Sequence, residues 1–218
     1  AKAWAEDYNV AVVDKGWLKK ELAEHRMPTG MQAFVMNSRR EQFSDRRARE
    51  AVALAFDFEW TNRNLFNGQY TRTTSYFSNS DLAARGKPQG EELAVLEPFR
   101  GQVLEAVCGE GYTPPITDGK GWPRDNLRRA KTLLKDAGWV VQDLHLVNAA
   151  TGEPFRFEIL LVSPAFERIV LPYVRNLKRL GIQAKVRLVD ENQYINRFRQ
   201  LDFDMIVWVW GQSQTPGN

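Results

Sequence analysis

Few residues in this chain combine the types and spacing that covalent chemistry needs. Asp202 and Asp204 stand two apart, and paired carboxylates can act as general acid and base, but they precede an apolar run and so fall at a strand start. Open sheets bind ligands beyond the other ends of their strands. The single cysteine, Cys108, excludes an internal disulfide and fits a cytosolic or a periplasmic protein. His25 and His145 are far apart in sequence, so no metal-ligand cluster is visible and no metal is expected. Gly119-Lys-Gly121 follows no strand and has Arg124 where a dinucleotide fingerprint needs its third glycine. Neither a nucleophile elbow nor a Walker loop occurs, and no cofactor is expected.

The sequence offers recognition chemistry instead. Phe166, Tyr194, Trp208 and Trp210 fall where strands and helices end. Trp208 and Trp210 share one face of a strand, so one can pack in the core while the terminal indole meets a ligand. From Gln69 to Asn79 hydroxyl and aromatic groups mix with almost no aliphatic residue. That stretch reads either as a binding loop or as an extended surface loop anchored by Tyr76 and Phe77.

Phe155 to Trp210 positions these groups, because it spells strand, helix, strand, helix, strand. Residues 155–162 alternate and then run apolar, as strands covered on both faces do. Ser163-Pro164 suits an N-cap and a first helical residue. Phe166, Ile169, Val170, Tyr173, Leu177 and Leu180 then recur at helical spacing up to a C′ glycine at Gly181, with Pro172 expected to bend the helix. Ile182 to Leu188 alternates as a half-buried strand, Asp190 caps a short helix carrying Tyr194 and Phe198, and Met205 to Trp210 is the last strand. This order predicts a parallel β-α-β-α-β core in an α/β fold, with ligand groups at Val162-Ser163, Val189-Asp190 and Trp210 to Ser213.

Ahead of it, residues 1–27 read as a connecting segment with weak helix over Gly16 to Ala23. Met31 to Met36 is a strand, Ser44-Asp45 starts a helix, a second helix covers Glu59 to Leu65, and residues 112–123 are turn-rich coil. Asp125 caps a helix ending at Gly138, and Trp139 to Val147, a turn at residues 148–152 and Phe155 onward read as one hairpin.

With 43% hydrophobic residues in 218, the chain can bury a real core. Net charge is +3, but 30 Lys and Arg against 27 Asp and Glu are nearly balanced and interspersed, which argues against a nucleic-acid surface. No apolar stretch approaches the roughly 20 residues of a membrane helix, and no signal peptide opens the chain. The ending, directly after a buried-looking strand, predicts a piece of something longer. Two general readings stand at this point: a binding lobe, or part of an α/β enzyme whose catalytic groups lie outside this chain.

Met31-Gln-Ala-Phe-Val-Met-Asn37, Phe43-Ser-Asp-Arg-Arg-Ala-Arg-Glu-Ala-Val52 and Ala55-Phe-Asp57 resemble a block of the family-5 extracellular solute-binding proteins, the peptide-binding receptors of ABC importers. Thr113-Pro-Pro-Ile-Thr-Asp-Gly119, Ala130 to Trp139, Lys178-Arg-Leu-Gly-Ile182 and Phe203-Asp-Met-Ile-Val207 continue it in order. Ser75 to Ser80 and the ending from Trp210 are similar to the Yej-type subgroup. The resemblance implies a periplasmic-binding-protein-like fold of class II and a two-lobed receptor, of which residues 28–218 are an incomplete C-terminal lobe lacking its partner lobe, with residues 1–27 hinge-proximal. It implies a periplasmic monomer, not an enzyme, that takes a peptide or peptide-like ligand to inner-membrane permease subunits and binds no nucleic acid. The ligand contacts it implies, with the sheet-end groups, are Trp210, Gln212, Ser213, Tyr194, Ser163, Phe166, Asn37 and Tyr76. Where the family carries an amine-binding aspartate after the tryptophan, this chain has Ser213.

Overall fold

The computed structural model describes residue 4 and residues 7–215. In chain order its regular elements are α1 (Ala11–Asp14), β1 (Met31–Met36), α2 (Glu41–Ser44), α3 (Arg46–Leu54), α4 (Phe58–Leu65), α5 (Gly90–Leu96), α6 (Arg124–Asp136), β2 (Trp139–Gln142), β3 (His145–Asn148), β4 (Arg156–Leu161), α7 (Glu167–Arg179), β5 (Gln183–Leu188), α8 (Glu191–Arg199) and β6 (Met205–Trp210). Short 3-10 turns occur at Glu97–Phe99, Glu105–Cys108 and Pro164–Phe166. The chain divides into two compact units. The first comprises Ala1–Val10, Ala33–Tyr70 and Pro115–Trp208, and the second Ala11–Gln32, Thr71–Pro114 and Val209–Asn218.

The first unit is built on a sheet in the order β1-β6-β4-β5. β4 pairs in parallel with β5, Arg156 opposite Gln183 through Leu161 opposite Leu188, and with β6, Ile159 opposite Met205. The three parallel strands expected from the sequence are therefore present. At the far edge, the Asn37 amide just after β1 donates to the Asp204 carbonyl just before β6 at 2.9 Å, so β1 runs against β6 and the sheet is mixed.

Both faces of the sheet are covered. Phe157, Ile159, Leu161 and Met205 pack with Ala51 and Val52 of α3, Leu127 and Leu134 of α6, and Val170 and Leu177 of α7. Leu160 and Ile206 pack on the opposite face with Tyr194 of α8 and Phe203. This double cover is why the alternation at Arg156 to Glu158 gives way to an apolar run at Ile159 to Leu161 in β4.

Local signals mostly act as their chemistry dictates. Asp45 caps α3 by accepting from the Arg47 amide, and Asp190 caps α8 by accepting from the Gln193 amide at 2.9 Å. Two expected caps differ: Asp125 lies inside the first turn of α6, whose N-cap is Pro123, and Ser163 makes no side-chain cap bond, the chain entering α7 through the 3-10 turn at Pro164–Phe166. α7 continues through Pro172 rather than ending there.

The hairpin also differs from the sequence reading. Instead of one strand over Trp139 to Val147, β2 and β3 form an antiparallel pair that turns on Asp143 and Leu144, whose φ angles are 47° and 67°. Two successive positive φ values are the type I′ geometry that matches strand twist, and Asp-Leu lacks the Asn-Gly signature that announces it. A second turn then brings the Phe155 amide to the Leu146 carbonyl at 2.7 Å.

In the second unit, the expected helix over Gly16 to Ala23 is absent. The helix is α1, followed by Gly16 at φ 72°, and residues 19–23 carry no regular structure. The hydroxyl-rich loop is a series of turns. Ser78 Oγ donates to the Ser75 carbonyl at 2.8 Å, and the Phe77 amide donates to Ser75 Oγ at 3.1 Å. Asn79 Nδ2 donates to the carbonyls of His25 and Met27, and the Thr29 amide donates to the Ser78 carbonyl, so residues 25–29 and 75–79 are laced together.

Candidate functional site

Each residue expected at a site is best placed within its own unit. In the first unit, Ser163 follows β4 and is half-buried, with its hydroxyl free of any capping role. Phe166 is half-buried and rests on the core. Tyr194 is only 4% exposed, and its phenol donates to the Val207 carbonyl. Burial, partly offset by that bond, pushes its ionisation above the ordinary tyrosine range. Trp208 stacks on Phe198 with ring centroids 4.1 Å apart and planes 13° apart, which fills the core beside α8.

Asn37 does not join these residues. It is 4% exposed, and its Nδ2 donates to the carbonyls of Leu201 at 3.0 Å and Phe203 at 2.9 Å, while its Oδ1 accepts from the Arg39 amide. Because β1 is antiparallel, its carboxyl end lies beside the amino end of β6 and away from Ser163. Asn37 is a strut that fixes the chain entering β6, not a free ligand group.

In the second unit, Trp210 closes β6 and is 40% exposed. Gln212 and Ser213 follow in exposed, irregular chain, and Ser213 Oγ donates to the Thr215 carbonyl. Gly30 runs beside the end of β6, where a Cβ would lie 3.1 Å from Val209 Cγ1 and 3.4 Å from the Trp210 carbonyl oxygen. A side chain there would press on the Val209 side chain, while its approach to the Trp210 carbonyl would be an ordinary contact. Tyr76 is 52% exposed in the laced loop.

At the amino ends of the parallel strands lies a groove of about 570 Å3, bordered by Arg40, Arg156, Glu158, Lys185 and Asp204. Asp204 is here, and both it and Asp202 pair with Arg40, each at 3.0 Å. Asp204 also accepts from the Glu158 amide at 2.9 Å. These carboxylates hold the sheet edge together and are not disposed as an acid–base dyad.

Sequence reasoning missed one polar node. Asp57 is 4% exposed, caps α4 through the Trp60 amide at 2.9 Å, and accepts from the Gly121 amide at 2.9 Å and from Thr117 Oγ1. Glu59 accepts from the Thr117 amide at 3.1 Å. The segment read as coil is thus pinned to α4. Its signal was the run of turn residues around Thr117 and Gly121, whose distant partners no local pattern names.

The doubly covered, mixed α/β sheet with polar and aromatic groups after its strands fits the periplasmic-binding-protein-like fold of the similar solved structures. Residues 4–218 match the family described as "Bacterial extracellular solute-binding proteins, family 5 Middle", and the chain belongs to that family, which consists of substrate-binding proteins. It is 44% identical over 220 residues to protein y4wM of Sinorhizobium fredii, covering 100% of this chain and 33% of that protein. It is 44% identical over 217 residues to the "Probable peptide-binding protein YejA" of Agrobacterium fabrum, covering 99% and 35%, and 39% identical to the "Peptidoglycan-binding protein YepA" of the same organism, covering 98% and 35%. The chain thus spans about a third of the length of the relatives it matches.

Among solved structures, the oligopeptide-binding protein AppA from Bacillus subtilis in complex with a nonapeptide is similar, with a TM-score of 0.62 at 20% identity over 87% of this chain and 32% of that one. NikZ from Campylobacter jejuni in complex with Ni(L-His) gives 0.60 at 16% identity over 95% and 35%. These likenesses show the shared fold. Among the described residues, no helix is long and apolar enough to cross a membrane.

Proposed function

We propose that this chain supplies one lobe of the substrate-binding component of an ABC importer, a periplasmic, monomeric receptor that captures peptides and delivers them to permease subunits. The family match along nearly the whole chain carries the reading, and the chain's likeness to the probable peptide-binding protein YejA and to the nonapeptide-bound AppA supports peptide as the ligand class. Residues 28–218 are read as the ligand-binding lobe and residues 1–27 as a hinge-proximal connection.

The work is physical, not covalent: a ligand is enclosed as lobes close around a hinge. Two sets of contacts are proposed, each within its own unit. Ser163 and Phe166 offer a hydroxyl and a ring after β4, while Trp210, Gln212, Ser213 and Tyr76 offer an indole, polar groups and a phenol. Burying the exposed indole of Trp210 against ligand contributes about 1.5–3 kcal/mol, and each hydrogen bond adds roughly 1 kcal/mol.

The test is mass spectrometry of ligands released from the full-length receptor, followed by calorimetry of the released species with the parent and with Trp210→Ala. Peptides should be released, and the substitution should weaken binding by about 10- to 150-fold. Release of peptidoglycan-derived peptides would move the ligand class toward that named for YepA. Hydrolysis of added peptides by the purified receptor would overturn the reading in favour of an enzyme.

A further inference from the structure

A small cationic cavity stands apart from every residue assigned above to ligand capture. It lies within the first unit, has a volume of about 160 Å3, and is lined by Trp60, Lys120, Gly121, Pro172, Arg175 and Arg179. Three cations line it and no carboxylate does. Lys120 is paired with Asp118 at 3.2 Å, and Arg179 donates to Asn176 Oδ1 while lying over the Trp122 ring at 4.9 Å. Arg175 has no ion-pair partner among the described residues.

The end of α7 explains part of this charge, since cations near a helix C-terminus complement its dipole, and Arg179 is the last residue of the helix. Arg175 lies a full turn earlier, and Lys120 belongs to a different segment altogether. That segment is held in place. Asp57 binds the Gly121 amide at 2.9 Å and caps α4, which carries Trp60. Gly121, at φ 78°, lies so close that a Cβ would come within 3.1 Å of the Trp60 indole. The loop therefore brings Lys120 against the arginine face of α7 and closes the cavity with an aromatic wall.

From this arrangement we infer a binding site for a small oxyanion of the phosphate or carboxylate type, held chiefly by Arg175 with Lys120 and Arg179. A guanidinium presents a planar fork that matches the oxygens of such ions. The volume falls below the roughly 300–1,000 Å3 of pockets that enclose organic ligands. That size suits an ion or a single anionic group.

The test follows the indole N–H resonances of Trp60 and Trp122 in the 218-residue chain, assigned with Trp60→Phe and Trp122→Phe. Sodium phosphate and sodium acetate are titrated separately against sodium chloride at matched ionic strength. Phosphate should move both resonances along a saturating curve that chloride does not reproduce. Arg175→Gln, at an exposed position, should weaken that response about tenfold or more, and Lys120→Gln should weaken it less. Saturation with acetate as well would assign the shared oxyanion chemistry, and saturation with phosphate alone would narrow the site to phosphate. Equal shifts in chloride, or unchanged titration in both variants, would overturn the inference.

Discussion

The phenol of Tyr194 donates to the backbone carbonyl of Val207, joining α8 to the strand beneath it. The hydroxyl's only hydrogen is spent inside the lobe. Tyr194→Phe leaves that carbonyl short of a partner and should cost about 1–3 kcal/mol of stability, measured by urea unfolding. Ligand affinity in the full-length receptor should hardly move. A large loss of affinity at unchanged stability would instead put the hydroxyl on the ligand.

Asn37 and Phe203 make a comparable bond at the amino end of the sheet. The amide of Asn37 supplies donors to two carbonyls, those of Leu201 and Phe203. Asn37→Ala should cost about 2–3 kcal/mol, from two lost hydrogen bonds in a buried setting. Asn37→Asp should cost more at neutral pH, because a carboxylate can only accept and would face those same carbonyl oxygens. Thermal unfolding of the two variants side by side checks the order, and a milder aspartate variant would show that the donors are dispensable.

How far the sequence could be read depended on whether its signals were local. The parallel run of β4, β5 and β6 was legible because each strand and its helix carry their own period and caps, as at Asp190 and Gly181. The antiparallel course of β1 was not, since Met31 to Met36 gives no hint of which neighbour it meets. Side-chain roles fared the same way. Trp210, at a chain position that ends a strand, is 40% exposed, whereas Asn37 and Tyr194 look like ligand groups until their distant carbonyl partners at Phe203 and Val207 are known. The polar node at Asp57 joins residues some 60 positions from one another, beyond the reach of any spacing rule.

Gly181 illustrates a constraint only half visible beforehand. Its spacing after Leu180 marks a C′ glycine, and it sits at φ 84°. A Cβ there would also lie 2.7 Å from the Leu146 amide nitrogen, which donates to the Gly181 carbonyl at 2.9 Å. Gly181→Ala therefore combines a left-handed backbone penalty of about 1–2 kcal/mol with a backbone clash that no side-chain rotation relieves. The total loss should exceed about 2 kcal/mol, whereas Gly138→Ala, at φ 84° with open space around it, should lose only the conformational part. Equal losses at the two positions in chemical denaturation would remove the packing contribution at Gly181.

Tyr173 sets an alkaline limit to stability. It is 2% exposed, its phenol donates to the Val52 carbonyl at 3.0 Å, and the rings of Phe34 and Phe56 lie 5.2 and 5.6 Å away. Burial penalises the phenolate and raises the ionisation of this group far above its ordinary value of 10.0. Below about pH 10 both folded and unfolded chains keep the proton, so the contribution of Tyr173 is constant. Above that pH only the unfolded chain releases it, and stability falls by about 1.4 kcal/mol per pH unit for this one group. Tyr173→Phe should be less stable than the parent near neutrality by about 0.5–1.5 kcal/mol, from the lost hydrogen bond, while the Val52 carbonyl keeps the Ala55 amide. It should then lose stability less steeply above about pH 10, so that the two urea-midpoint curves converge as pH rises. Parallel curves through the alkaline range would show that this proton is not linked to folding.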